Sequence, residues 1–171
     1  HECFVMSAPD RDLELEVARL FSQEAHYLDR KQWPAWLALY CEDAEYWAPA
    51  WASEEEITTD PANELSLIYL RGRGGLQDRV YRIEARDSLA TVPLDRTAHV
   101  VGSVLVHGAG ANGEIEASCS WITHVYSVRG AATLGGYSDY TLRREAGALR
   151  IAKKRVVLID DRLEIPVDVY H

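Results

Sequence analysis

Sulfur is scarce in this sequence: 171 residues hold three cysteines and one methionine. Cys3, Cys41 and Cys119 are odd in number and widely spaced, which argues against a disulfide framework. They suit small buried hydrophobes in a reducing cytoplasm. Cation is also short. Eighteen Lys and Arg stand against 27 Asp and Glu, a net charge of −9. Nucleic-acid modules concentrate Lys and Arg, so the balance argues against a phosphate-binding surface. No apolar run approaches the roughly 18 residues of a membrane span. A basic stretch followed by an apolar one is missing at the start, so no signal peptide is expected and the expected location is the cytoplasm.

What is present fits a globular core. Apolar residues make up 47% of the chain. A chain of this length buries roughly 70% of its unfolded surface. One domain over residues 1–171 is expected, with 1–10 as an extended N-terminal segment. The natural start is expected at Met6, leaving His1 to Val5 upstream of it.

Pro9-Asp10-Arg11-Asp12 offers cap chemistry for a first helix. Leu13, Val17, Leu20, Phe21 and Leu28 recur at spacings of three and four, which predicts a helix over 12–29. A short second helix from Pro34 uses proline where its missing N–H costs nothing. Trp33, Trp36, Leu37 and Tyr40 form its apolar face. Glu42-Asp43 predicts a turn into a strand at 45–47, which Pro49 ends. Leu65 to Leu70 reads as strand, Arg71 to Gly75 as loop, and Leu76, Val80 and Ile83 as a helix to about Ala85. Strands follow at 100–107, 114–128, 134–144 and 149–159, with a glycine-rich loop over 108–113. Glu145-Ala146-Gly147 predicts a tight hairpin. Helices first and an antiparallel meander afterwards predict an α+β fold.

Five groups of residues have chemistry to offer. His99, His107 and His124 lie on predicted strands, and two of them with Glu116 have the residue types of a two-histidine, one-carboxylate iron site. Isolated strand histidines more commonly serve packing or the surface. His26, Asp29, Tyr40, Asp43 and His99 have the types of a general acid–base pocket; solvated turn carboxylates are the simpler reading of both aspartates. Arg71-Gly72-Arg73-Gly74-Gly75 follows a strand and precedes a helix, yet it has neither phosphate-loop spacing nor Gly-x-Gly-x-x-Gly. It presents arginines to an acidic partner, or to Glu54, Glu55 and Glu56 of the same chain. Five tryptophans are a further group. Trp36 and Trp47 are expected in the core by spacing. Trp51 divides evenly between core and interface, since large aromatics anchor both. Lys153-Lys154-Arg155 is expected to be a solvated strand face rather than a contact patch.

An ordered set of short motifs carries a family resemblance. It comprises Tyr27-Leu28-Asp29, Trp33-x-x-Trp36-Leu37, Asp43-Ala44-Glu45-Tyr46-Trp47, Pro49-Ala50-Trp51, Thr58-Thr59-Asp60-Pro61 and Ser66-Leu67-Ile68-Tyr69. Arg73-Gly74-Gly75-Leu76-x-Asp78-Arg79-Val80-Tyr81-Arg82-Ile83, Lys153 to Leu158 and Val167 to His171 continue it. From about Glu24 to His171 the chain resembles the small (beta) subunit of aromatic-ring-hydroxylating dioxygenases, most of all the benzoate/anthranilate 1,2-dioxygenase branch. The loop 108–113 and the segment 116–138 match less well.

The resemblance implies a cone-shaped α+β roll, with N-terminal helices packed in a strongly curved, mostly antiparallel sheet. This is the fold of ketosteroid isomerase and nuclear transport factor. It also implies a partner alpha subunit holding a [2Fe-2S] Rieske cluster and mononuclear Fe(II), NADH acting through a separate reductase, an α3β3 assembly and contacts within a beta trimer. This chain would then carry no catalytic, cofactor or metal residues. A Rieske cluster needs two Cys and two His, and neither Cys-x-His nor Cys-x-x-His occurs here. Interface residues expected on this reading are Trp51, Arg71, Arg73, Tyr170 and His171. The alternatives are a stand-alone isomerase or dehydratase with an Asp or His base in the cone, and a ligand-binding module with an open pocket. A subunit should fill its pocket with its own aromatics; an enzyme should keep it open.

Overall fold

The computed structural model describes residues 10–89 and 93–171. The expected extended N-terminal segment, the Met6 start and Cys3 lie outside the described residues, apart from Asp10. Asp10 caps helix α1 (Arg11–Asp29): its carboxylate accepts from the N–H groups of Asp12 and Leu13 at 3.1 and 3.2 Å. Val17, Leu20, Phe21, Glu24 and Leu28 form the buried stripe of α1. Helix α2 (Trp33–Leu37) is a single turn with Pro34 at its start.

Strand β1 (Tyr40–Pro49) is longer than the sequence indicates. Glu42 and Asp43 do not turn the chain; they are exposed within the strand, where the pairing of β1 with β6 shifts register between Tyr40 and Glu45. The bulge lets two carboxylates face solvent without ending the strand. Strand β2 (Ser66–Arg71) pairs antiparallel with β1. The expected loop at Arg71 to Gly75 is also corrected. Helix α3 (Gly72–Leu89) begins at once, because Gly72 adopts φ +73° and swings the chain from strand into helix without a linker. A side chain there would be strained. Buried Leu76, Val80 and Ile83 hold α3 against the sheet.

Strands β3 (Arg96–Ala109), β4 (Ile115–Ser127), β5 (Gly130–Glu145) and β6 (Ala148–Leu158) form the expected antiparallel meander. The β5–β6 turn has Ala146 at φ +50° and Gly147 at φ +82°, as a two-residue hairpin of matching twist requires. The sheet order is β2-β1-β6-β5-β4-β3. One pairing breaks the antiparallel rule: β1 runs parallel to β6. That pairing joins the N-terminal half to the meander, and strand periodicity alone carries no signal for it.

The sheet curls around α1 and α3, which fill its concave side. The result is the α+β cone of the ketosteroid-isomerase and nuclear-transport-factor type. Phe21 stacks on Tyr140 at 4.1 Å between ring centroids, and Trp36 meets Tyr40 edge-on at 5.2 Å. Trp36 is fully buried, as its spacing indicates. Trp47 is only half-buried, a correction to its core assignment. Its position on β1 points outward, and its Nε1–H donates to Ser66 Oγ at 2.9 Å.

Candidate functional site

The interior of the cone holds a buried polar cluster. Glu24 comes from the apolar stripe of α1, and Lys154 from the inward face of β6, between Ala152 and Val156. Lys154 Nζ lies 2.6 Å from Glu24 Oε1. Tyr140 on β5 donates to the same oxygen at 2.8 Å, and Tyr40 on β1 donates to Oε2 at 2.5 Å. Burial pushes the Glu24 carboxyl up. The Lys154 ammonium and the hydrogen bonds outweigh burial and hold it below its ordinary range. Burial likewise pulls Lys154 down, and Glu24 more than reverses that. The charges satisfy each other, and both tyrosine hydroxyls are held protonated by burial beside Glu24.

Nearer the mouth, Asp29 at the end of α1 meets β3. Its carboxylate takes the Thr97 hydroxyl at 3.0 Å, the His99 N–H at 3.0 Å and His99 Nδ1 at 2.5 Å. Burial acts against the charge, but these bonds keep the Asp29 carboxyl below its usual range. The other ring nitrogen of His99 faces the carbonyl of His171 at 3.3 Å. His171 Nδ1 accepts from the Asp168 N–H at 2.8 Å, which leaves Nε2 to face Asp95 at 3.2 Å. Asp168 in turn holds Arg79 of α3 through two contacts at 2.8 and 2.9 Å. The C-terminal segment is therefore clasped across the opening of the cone.

Of the five residues expected to make an acid–base pocket, only Asp29 and His99 touch each other. Tyr40 belongs to the Glu24 cluster. Asp43 is outside the cone, paired with Arg143 at 2.8 Å, and His26 is exposed beside Tyr27. Lys154 corrects the reading of Lys153-Lys154-Arg155 as a solvated face: it is 8% exposed. Sequence reasoning missed Glu24, Tyr140 and Lys154. The signal was there, since Glu24 sits at +3 from Phe21 and Lys154 at even spacing from Ala152 and Val156. The identity of the charged residues concealed it.

The three strand histidines diverge. Ala98 pairs with His124 and His99 with Thr123, so His99 faces the interior and His124 the outside. His107 is exposed and bonds Ser118 at 2.7 Å, while Glu116 takes the Thr141 hydroxyl. Cys41 and Cys119 are buried on separate strands, their thiols pushed up by burial to about 12 and about 11. These residues do not fit a Rieske cluster or a two-histidine iron site.

The cavity itself is nearly filled. Phe21, Leu28, Tyr46, Trp121, Tyr140 and Val156 leave about 30 Å3 between them. Small-molecule sites typically need about 300 Å3 or more. A wider cleft of about 310 Å3 lies between α3 and the C-terminal segment, and its lining includes Arg86, Asp87, Asp95 and Arg129. His171 borders both this cleft and the interior cavity.

The expected interface residues separate into two groups. Trp51 is half-buried and its Nε1–H donates to the Leu158 carbonyl at 2.8 Å. Arg71 is exposed and Arg73 partly so. Tyr170 and the His171 ring are instead occupied within this chain: Tyr170 is 2% exposed and packs edge-on against Trp33.

The interior of this cone is filled by its own aromatic and ion-paired side chains. The family model for the ring hydroxylating beta subunit matches residues 23–164. The chain belongs to that family and is a beta subunit of a ring-hydroxylating dioxygenase, an oxidoreductase complex in which an alpha subunit is its partner. Toluate 1,2-dioxygenase subunit beta of Pseudomonas putida is 37% identical over 149 residues, 87% of this chain and 91% of that one. Benzoate 1,2-dioxygenase subunit beta of Acinetobacter baylyi is 33% identical over 156 residues, 91% and 92% of the two chains. The crystal structure of the benzoate 1,2-dioxygenase beta subunit from Burkholderia mallei superposes with a TM-score of 0.77 at 33% identity, covering 97% of this chain and 99% of that one. The isomerase alternative is set aside by this kinship and by the filled cone.

Proposed function

We propose that this chain is the structural subunit of a dioxygenase acting on a benzoate- or anthranilate-like aromatic acid. The observation that carries the substrate class is the 37% and 33% identity to toluate and benzoate 1,2-dioxygenase beta subunits across about nine-tenths of the chain. The alpha subunit carries the Rieske [2Fe-2S] cluster and mononuclear Fe(II), and a reductase delivers electrons from NADH. The assembly is α3β3, in the cytoplasm. The iron centres supply addition of both atoms of O2 to the ring, and this chain supplies a rigid body on which alpha is held. Trp51, Arg71 and Arg73 are accessible enough to meet a neighbouring subunit. Tyr170 and His171 support such a contact indirectly, by fixing the C-terminal segment.

The test is reconstitution of alpha, reductase and this chain with NADH, following O2 uptake on benzoate and anthranilate. Coupled uptake with either acid is expected; uptake only with unsubstituted hydrocarbons contradicts the substrate class. In the same assay Asp29→Asn should leave turnover within about twofold if the protein still melts cooperatively. A loss of activity by a hundredfold or more in a folded variant, the order of a general base, contradicts a purely structural role.

A further inference from the structure

The cleft of about 310 Å3 between α3 and the C-terminal segment has no part in the function proposed above. It reaches the lower end of the volumes typical of small-molecule sites, about 300 Å3. Its apolar walls are incompletely covered. Leu94 and Ile165 are half-buried, Pro93 is exposed, and Val128, at the β4–β5 turn, is 66% exposed. Apolar side chains from three separate segments thus converge on one hollow. A single exposed valine is ordinary, but apolar groups gathered around a concavity of this size mark a binding groove.

The charges along the cleft point to what it takes. Each of its three carboxylates is already answered from within the chain. Asp168 holds Arg79 through two contacts and accepts the Val169 N–H at 2.8 Å. Asp95 faces His171 Nε2 at 3.2 Å. Asp87 accepts the Leu94 N–H at 3.1 Å. The Lys31 ammonium donates to the Asp95 carbonyl at 2.8 Å and sets its charge beside Asp87 and Asp95. Two arginines remain. Arg86 lies against the Tyr170 hydroxyl, which burial pushes up to about 12, so this neighbour stays neutral and cancels no charge. Arg129 is exposed, and its guanidinium meets no carboxylate among the described residues. A chain of net charge −9 therefore keeps two uncancelled cations on one apolar hollow. A guanidinium matches a carboxylate, two parallel N–H donors to two oxygens. A bare inorganic anion would leave the apolar walls wet, and a neutral apolar molecule would leave the arginines unused.

We propose that this cleft is a binding site for a small organic carboxylate, with Arg129 and Arg86 taking the carboxylate and Val128, Leu94 and Ile165 taking an apolar ring or chain. The site lies within this chain and needs neither an alpha subunit nor iron, so it goes beyond the subunit reading and does not rest on it. Ile165 belongs to the C-terminal segment that Asp168 fastens to α3. An occupied cleft holds that segment more firmly, because a ligand that binds only the folded form stabilises it.

The test is calorimetric titration of the purified chain with benzoate as the probe. Acetate has the carboxylate without the ring, and benzyl alcohol the ring without the charge. Benzoate should bind at one site per chain with a Kd of about 1 mM or tighter, and at least about tenfold tighter than either control. Arg129→Ala and Val128→Asp should each weaken it by about tenfold or more, the scale of a charge-assisted hydrogen bond. Both positions are exposed, so the far-UV spectrum and melting behaviour should match the parent. Arg19→Ala, which removes an exposed arginine of α1 outside the cleft, should bind benzoate as the parent does. Bound benzoate should also slow amide exchange over residues 165–171. Absence of benzoate binding, binding no tighter than that of acetate, or an affinity untouched by Arg129→Ala overturns the proposal. Co-expression with the alpha subunit separates the two readings. If benzoate does not bind and Val128→Asp loses alpha, the cleft takes a side chain of alpha: the proposal falls and the subunit reading stands. If benzoate binds and the parent captures no alpha, the subunit reading falls and the proposal stands.

Discussion

Glu24 and Lys154 are both nearly sealed from solvent, so each depends on the other. Removing one partner of a buried pair leaves an uncompensated charge and costs about 3–5 kcal/mol. Lys154→Met should show a loss of that order in urea unfolding. The Glu24→Gln, Lys154→Met double variant should lose less than Lys154→Met alone, because no charge is stranded; equal or greater loss would contradict the pairing. The pH dependence follows from both shifts. The carboxyl is depressed from 4.5, so its contribution is present above that value and fades as pH falls through the lower folded value. The ammonium is raised from 10.5, so its contribution is present below that value and fades as pH rises through the higher folded value. Stability from the pair is therefore flat across neutral pH.

His171 behaves differently. Burial pulls its ring below the ordinary 6.5, and Nδ1 already accepts from a backbone N–H. The unfolded chain binds that proton more readily, so stability is complete above 6.5 and declines as pH falls from there towards the folded value. A melting temperature that drops between pH 7.5 and pH 5.5, and drops less in His171→Asn, is the expected result. An unchanged slope in the variant would place the titration elsewhere.

At the scale of elements, the C-terminal segment depends on α3. Asp168 is buried and bidentate on Arg79, and hydrogen bonds to charged groups are worth about 1.5–3 kcal/mol. Asp168→Ala should cost about that much and raise amide exchange over residues 165–171 ahead of the sheet. Exchange that stays as slow as in the parent would show that Tyr170 and Val169 hold the segment by packing alone. Helix α1, the β3–β6 meander and the β5–β6 hairpin were legible because periodicity and turn residues report them directly. The start of α3 was not, since three glycines within four residues read as loop while the tertiary burial of Leu76 and Val80 decides for helix. The length of β1 was hidden by Glu42 and Asp43, which a bulge turns outward. Of the site, Asp29 and His99 are legible as residue types, but Asp29 is not the solvated turn carboxylate its sequence context indicates: Thr97 and His99 hold it in three hydrogen bonds. Glu24 and Lys154 were not, because a buried charge is recognisable only when its partner, 130 residues away, is seen beside it.

At the scale of the whole molecule, the fold offers a cone whose interior is filled by its own side chains. The cone that elsewhere admits a substrate is here stopped by Phe21, Trp121 and Tyr140 and clasped by the C-terminal segment. What remains for function is the outside: an acidic surface, the cleft between α3 and the C-terminal segment, and accessible Trp51, Arg71 and Arg73. On the function proposed above, chemistry on an aromatic ring belongs to the partner. The most direct measurement is the mass and iron content of this chain purified alone and after co-expression with its alpha subunit. An iron-free chain that recruits an iron-bearing alpha subunit into an equimolar complex is the predicted result. A chain that ignores alpha, or that binds iron stoichiometrically alone, would contradict it.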